Sequence, residues 1–183
     1  MIRNTSESWG WPARILHWLI ALMVLGLFSF GLWMVDVAPR SERPYYFAIH
    51  ASVGITLLTL MLVRFIWWVT HVAPAPPEGT SAWQRTAAWI SHRLLYLLTF
   101  ATAIIGWLMS GTFEHPLEPK VLGLFPVPQL LTAGSPYRQV LAEIHETLAF
   151  ALIVLVGVHA AAALYHHFVL RDSVLRRMVS GAA

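Results

Sequence analysis

HETLAFALIVLVGVH, residues 145–159, places an imidazole at each end of a run that carries no charged residue from Thr147 to Val158. Apolar on every side, such a helix belongs in a buried core or in hydrocarbon. Ionisable residues inside a membrane are rare and face a bundle interior, so the two histidines are what needs explaining. They are fourteen residues apart. At about 100° per residue that interval is about 1400°, roughly 40° short of four whole turns. His145 and His159 therefore share nearly one helix face, about 21 Å apart along the axis. One near each surface of a bilayer, they suit two stacked cofactors.

The composition supports a membrane setting. The 183 residues are 57% hydrophobic and 11% charged, with nine Trp and a mean hydropathy of +0.63. Soluble domains carry about 25% charged residues. The length allows a single membrane-integral domain over 1–183. There are no cysteines, which excludes disulfides, thiolate iron–sulfur clusters and C-x-x-C-H haem attachment. The net charge is +3, but the basic residues sit at the ends of apolar runs. That pattern reflects membrane topology and membrane-lipid contact, with no nucleic-acid partner.

Four segments are long and apolar enough to span a bilayer core, which takes about 20 residues of helix. The hydropathy places helices at about 12–35, 45–70, 86–109 and 142–170. The first follows Arg3 and Arg14 but is too long for a signal peptide's apolar region, and it reads as a retained span. Four spans put both termini on one side. That side holds Arg3, Arg14, Arg64, Arg85, Arg93, Arg171, Arg176 and Arg177, against Arg40, Arg43, Lys120 and Arg138 on the other. Eight against four predicts cytoplasmic termini. APAPPEGTS breaks the chain between the second and third spans. A longer connection from Ser110 to about Val140 carries Pro116, Pro119, Pro126, Pro128 and Pro136, and an apolar piece, VLGLF, suited to the membrane interface. The fold class is all-α, a transmembrane four-helix bundle.

Partners for the two histidines follow from depth. The fourth span begins on the side opposite the termini, so His145 is near that surface. The second span begins there too, with His50 near its start. The first span begins on the terminal side, with His17 near its start, and His159 lies towards that surface. The pairs are His50 with His145 and His17 with His159. The same fourteen-residue interval leads from His17 to Gly31, from His50 to Arg64 and from His92 to Gly106. Glycines at those positions let a flat macrocycle approach the backbone, although glycine also serves plain packing in membrane helices. Arg64 either pairs with a haem propionate or snorkels to the interface.

Haem iron takes two opposed imidazoles and leaves the protein to exclude water. Structural zinc wants four clustered ligands, and two separated pairs do not supply them. The pattern predicts two haems, ligated by His17, His50, His145 and His159. With both axial positions filled, such a centre shuttles electrons.

The chain resembles the prokaryotic cytochrome b561 family over nearly its whole length. The resemblance is carried by ILHW at 15–18, PRSERP at 39–44, IHASVGI at 49–55, IHETLA at 144–149, VHAAAALYHH at 158–167 and RDSVLRRM at 171–178. It implies a multi-pass protein of the bacterial inner membrane, a four-helix bundle holding two haem b groups on the same four histidines. It also implies electron exchange with ubiquinone. One branch of the family looks like a superoxide oxidase, an oxidoreductase of superoxide:ubiquinone type that takes electrons from superoxide at the periplasmic surface. In that branch the histidine corresponding to His166 lines the quinone pocket. The other reading of His166 is an interfacial histidine in solvent. His92 is a second candidate for quinone contact. The second-to-third linker, 72–82, has none of the lysines expected in relatives. The alternative function is a haem-bearing membrane anchor that passes electrons from a partner dehydrogenase or hydrogenase to quinone. A non-redox carrier with histidine proton sites is a third reading.

Overall fold

Helix α1, Trp11–Asp36, has a proline at its first turn, as does α2, Arg43–Thr70. Proline is suited to that position, where its missing N–H has no intrahelical partner to lose. Helix α3, Ala82–Ser110, starts at Ser81, whose N–H donates to the Gln84 side chain at 2.9 Å. Helix α4 runs Arg138–Tyr165 and continues as a π-helical turn, His166–Leu170. A last short helix, α5, covers Val174–Val179. The computed structural model describes residues 1–114 and 117–181, so Pro116 of the long loop lies outside it.

Four of these helices are long and apolar enough to cross a membrane, and the protein is a four-helix transmembrane bundle. α3 starts at Ala82 and α4 at Arg138, before the apolar runs begin. At 29 residues, α3 is about 43 Å long, against a hydrocarbon core of about 30 Å. The polar first turns therefore stand in the headgroup region.

α3 packs along α4, and α1 along α2, whereas α4 meets α1 over a far shorter stretch. The core cluster of Ile20, Val24, Leu57, Met61 and Leu152 fills the middle of the bundle. Leu152 is seven residues from both His145 and His159, so this apolar plug separates two levels.

One end of the bundle gathers the two termini. Asn4 is buried and donates to the Val72 carbonyl at 3.0 Å, while its Oδ1 accepts from Gly10 N at 2.9 Å. Gly10 is required there, because a Cβ would lie 2.1 Å from the Ile2 carbonyl oxygen. Ala75 N donates to Ser6 O, and Arg177 donates to Ala75 O at 2.7 Å. Trp18 Nε1 and Arg14 donate to the carbonyls of Met178 and Val179. The N-terminal segment, the α2–α3 linker and α5 thus form one bonded layer, the terminal end.

At the opposite end, the long loop contains a small antiparallel hairpin, β1 (Lys120–Val121) and β2 (Phe125–Pro126), with Lys120 opposite Pro126. Its turn holds Leu122 at φ 53° and Gly123 at φ 71°. The sequence suggests an interfacial apolar piece here, and the structure seats it against α2. Lys120 N donates to Ser52 Oγ at 3.1 Å and Leu122 N to Thr56 Oγ1 at 2.9 Å. Thr56 is six residues, about 9 Å, beyond His50 along α2. Backbone polar groups are tolerated at membrane depth only where the protein satisfies them, and these two hydroxyls do so.

Candidate functional site

The histidines meet in pairs across helices that share few other contacts. His50 of α2 faces His145 of α4 with ring centres 6.2 Å apart and planes at 78°. His17 of α1 faces His159 of α4, also at 6.2 Å, with planes at 68°. A first-row metal–imidazole bond is about 2 Å and a ring nitrogen sits about 1 Å from its ring centre, so two imidazoles opposed across one metal have centres about 6 Å apart. Both pairs have the spacing that a shared iron requires.

Local contacts prepare the rings. His145 Nδ1 lies 2.9 Å from the Thr102 carbonyl oxygen of α3. A carbonyl only accepts, so Nδ1 carries the hydrogen and Nε2 presents its lone pair, the arrangement common to metal-bound histidines. Among the described residues, His50 Nδ1 is buried with no hydrogen-bond partner. Phe30 stacks on that ring, with centres at 6.3 Å and planes at 19°. A family model described as prokaryotic cytochrome b561 matches residues 8–181.

The chain belongs to the prokaryotic cytochrome b561 family. It is 36% identical over 178 residues to cytochrome b561 homolog 2 of Escherichia coli (strain K12), covering 96% of this chain and 93% of that one. It is 32% identical to the probable superoxide oxidase CybB of Yersinia pestis, over 90% of this chain and 91% of that protein. It is 31% identical to cytochrome b562 of Cereibacter sphaeroides, over 90% of each. Membership makes this a bacterial multi-pass membrane protein that binds b-type haem and carries electrons.

Within this b561 chain, the glycines fourteen residues from His17 and His92 both reach the His50–His145 level. A Cβ on Gly31 would lie 3.4 Å from His50 Cε1, and one on Gly106 would lie 2.9 Å from His145 Cε1. At Gly106 the missing side chain makes room for the His145 ring, whereas at Gly31 the contact would be an ordinary one. Arg64 lies at the other level. Its Nε donates to Tyr96 Oη at 3.2 Å and its Nη1 to the Ala13 carbonyl at 3.0 Å, four residues before His17. These inward bonds replace the snorkelling reading, since the guanidinium stays within the protein. Two bonds leave three of its five donors.

His92 lies with its ring 5.3 Å from that of His159, their planes at 65°. His166 is not a solvated interfacial residue. Its side chain is 18% exposed, and its Nδ1 is 2.5 Å from Asp172 Oδ2. Among the described residues, no three His, Cys, Asp or Glu side chains converge as a metal cluster. A groove of about 630 Å³ between α2 and the hairpin, with Ile49, Ser52 and Thr56 in its wall, contains none of these histidines.

The sequence reading missed Asp172, Tyr96, Phe30 and the carbonyls of Thr102 and Ala13. Asp172 had a visible signal as the acid in RDSVLRRM. The carbonyls had none, because every residue type offers one.

Proposed function

We propose that this b561 protein carries two haem b groups, His50–His145 near the periplasmic face and His17–His159 near the cytoplasmic face. It passes single electrons between a donor at the first and ubiquinone at the second. The observation that carries this reading is the pair of facing imidazoles repeated at two levels with one spacing. Haem bound there supplies reversible one-electron chemistry. The chain's own residues do the rest. The four histidines ligate, and the apolar plug around Leu152 keeps water out between the levels. Arg64, with donors to spare, holds a propionate. The bias of basic residues towards the terminal end supports cytoplasmic termini in the inner membrane.

Superoxide is the proposed donor, and ubiquinone the acceptor. The printed name of the Yersinia pestis relative supports the first. So does the position of two arginines. Arg43 precedes His50, and Arg138 precedes His145, by seven residues, within α2 and α4 respectively. Seven steps bring each back to nearly its histidine's face, about 10 Å nearer the opposite end. Arg43 donates to the Ala38 carbonyl at 3.2 Å, and Arg138 lies over the Phe113 ring at 4.4 Å. Two held cations above one site attract a small anion.

The test has two parts. A pyridine haemochrome assay on fully loaded protein should give two extractable haems per chain; one or none would overturn the pairing. Stopped-flow mixing with superoxide should then reduce the haems, faster at low ionic strength, and Arg138→Gln should weaken that salt dependence. Reduction only by a partner dehydrogenase or hydrogenase, with none by superoxide, would establish the anchor reading instead.

His166 is the proposed quinone contact, seven residues and about 10 Å beyond His159 towards the terminal end. His166→Ala should keep both haems and still accept electrons from the donor. Losing one buried hydrogen bond costs about 1–3 kcal/mol, so quinone-driven reoxidation should weaken roughly five- to 150-fold. Unchanged reoxidation across a quinone titration would move the contact elsewhere, with His92 the next position to test.

A further inference from the structure

In a continued α-helix, Asp172 would stand about 240° around the axis from His166 and about 9 Å further on. The two would never meet. What joins them is an irregular backbone. Residues 166–170 form a π-helical turn, and Arg171 adopts left-handed φ 53° and ψ 33°. The N–H groups of Arg171 and Asp172 both return to the His166 carbonyl. π-Turns inside helices gather at functional sites, and a non-glycine residue in the left-handed region is strained. Here the strain delivers one product: a carboxylate on the imidazole at 2.5 Å, with both side chains mostly buried.

The carboxylate is fixed from its other oxygen as well, which accepts from Val174 N at 2.9 Å. Val174 opens α5, and α5 is bonded to the start of α1 through Trp18 and Arg14, beside His17. Imidazole, carboxylate and the end of α1 form one braced unit.

We propose that Asp172 is a positioning residue for quinone reduction: it holds His166 with Nδ1 protonated and stabilises the imidazolium whose Nε2 gives its proton to the quinone oxygen. The proposal rests on the reading of His166 as the quinone contact. A carboxylate only accepts, so Nδ1 must carry its hydrogen whichever charge the ring bears. Nε2 then donates to a quinone carbonyl only as imidazolium, and the Asp172 charge compensates that form. As one electron reaches the quinone through the chain, the Nε2–H bond breaks and an O–H bond forms. The ring is left neutral, with Nδ1–H still on Asp172. Nε2 regains a proton from water at the terminal end, and a second cycle with a second electron completes the quinol.

The test uses reduced, haem-loaded protein mixed with a soluble short-chain ubiquinone over a concentration series. In Asp172→Asn the amide lacks the charge and can donate to Nδ1, reversing the tautomer. General acid catalysis contributes about 10²–10⁴-fold, so the maximal reoxidation rate should fall at least about tenfold. The half-saturating quinone concentration should stay within about threefold. Asp172→Glu should recover much of the rate. Nitrogen-15 shifts of His166 in the reduced wild-type protein should show Nδ1 protonated.

An unprotonated Nδ1 in wild type overturns the proposal without recourse to any variant. So does a wild-type maximal rate in Asp172→Asn. Those outcomes leave the quinone contact standing if His166→Ala is slow. Wild-type reoxidation in His166→Ala overturns both readings.

Discussion

His50→Ala or His145→Ala should halve the haem content and leave the terminal-end centre intact, and His17→Ala or His159→Ala should do the reverse. Each pair is an independent unit, because Ile20, Val24, Leu57, Met61 and Leu152 fill the space between the levels. Loss of one imidazole would leave the facing ring alone to hold a haem at that level. The other pair keeps its spacing. Haem per chain should fall from about two to about one by pyridine haemochrome assay, with one component missing from the reduced-minus-oxidised spectrum. His92→Ala, which removes a third ring, 5.3 Å from that of His159, should keep both haems. If the losses grouped His17 with His50, or if His92→Ala abolished a centre, the depth pairing would be wrong.

The pairing and the spans were legible for the same reason. Both are helical periodicities, and α-helix geometry is constant enough that fourteen residues fix a face and a depth. The apolar runs then supply the register between helices, since each run must match one bilayer. Features made by irregular backbone were not legible. His166 and Asp172 meet only because a π-turn and a left-handed Arg171 replace α-helix, and no residue in HHFVLRD announces either. The hairpin was visible as apolar VLGLF, but its seat against α2 depends on two hydroxyls there, Ser52 and Thr56. Serine and threonine in membrane helices usually bond their own backbone, as Thr56 also does with Ser52 O. The Thr102 carbonyl that orients His145 is a backbone atom, outside anything residue identity can signal. Arg64 lay between: its face was readable, but its partners Tyr96 and Ala13 come from other elements.

The glycines separate two accounts of the same spacing, and Gly106→Leu should be as damaging as His145→Ala. If glycine at these positions only admits a flat macrocycle, Gly31 and Gly106 should be similarly sensitive, because both reach the His50–His145 level. The contacts differ between them. An added Cβ at Gly106 meets His145 Cε1 at 2.9 Å and Nδ1 at 3.2 Å, whereas at Gly31 it meets His50 Cε1 at 3.4 Å. The first ring has little freedom to move, since its Nδ1 is bonded to Thr102, one turn earlier on the helix that bears Gly106. Overpacking a tight site costs about 1–3 kcal/mol, which is roughly five- to 150-fold in affinity. Gly106→Ala should therefore lower haem retention at that level by such a factor and shift its reduction potential. Gly106→Leu, with three more carbons, should expel the ring and empty the site. Gly31→Ala should stay near wild type, as should Gly54→Ala and Gly157→Ala, where among the described residues no atom beyond the local helix lies within 4 Å of the new Cβ. Haem content and redox titration of the purified variants decide the matter. Equal losses at Gly31 and Gly106 would show that room for the macrocycle governs these positions. A loss confined to Gly106 would show that α3 acts on the haem through the His145 ring.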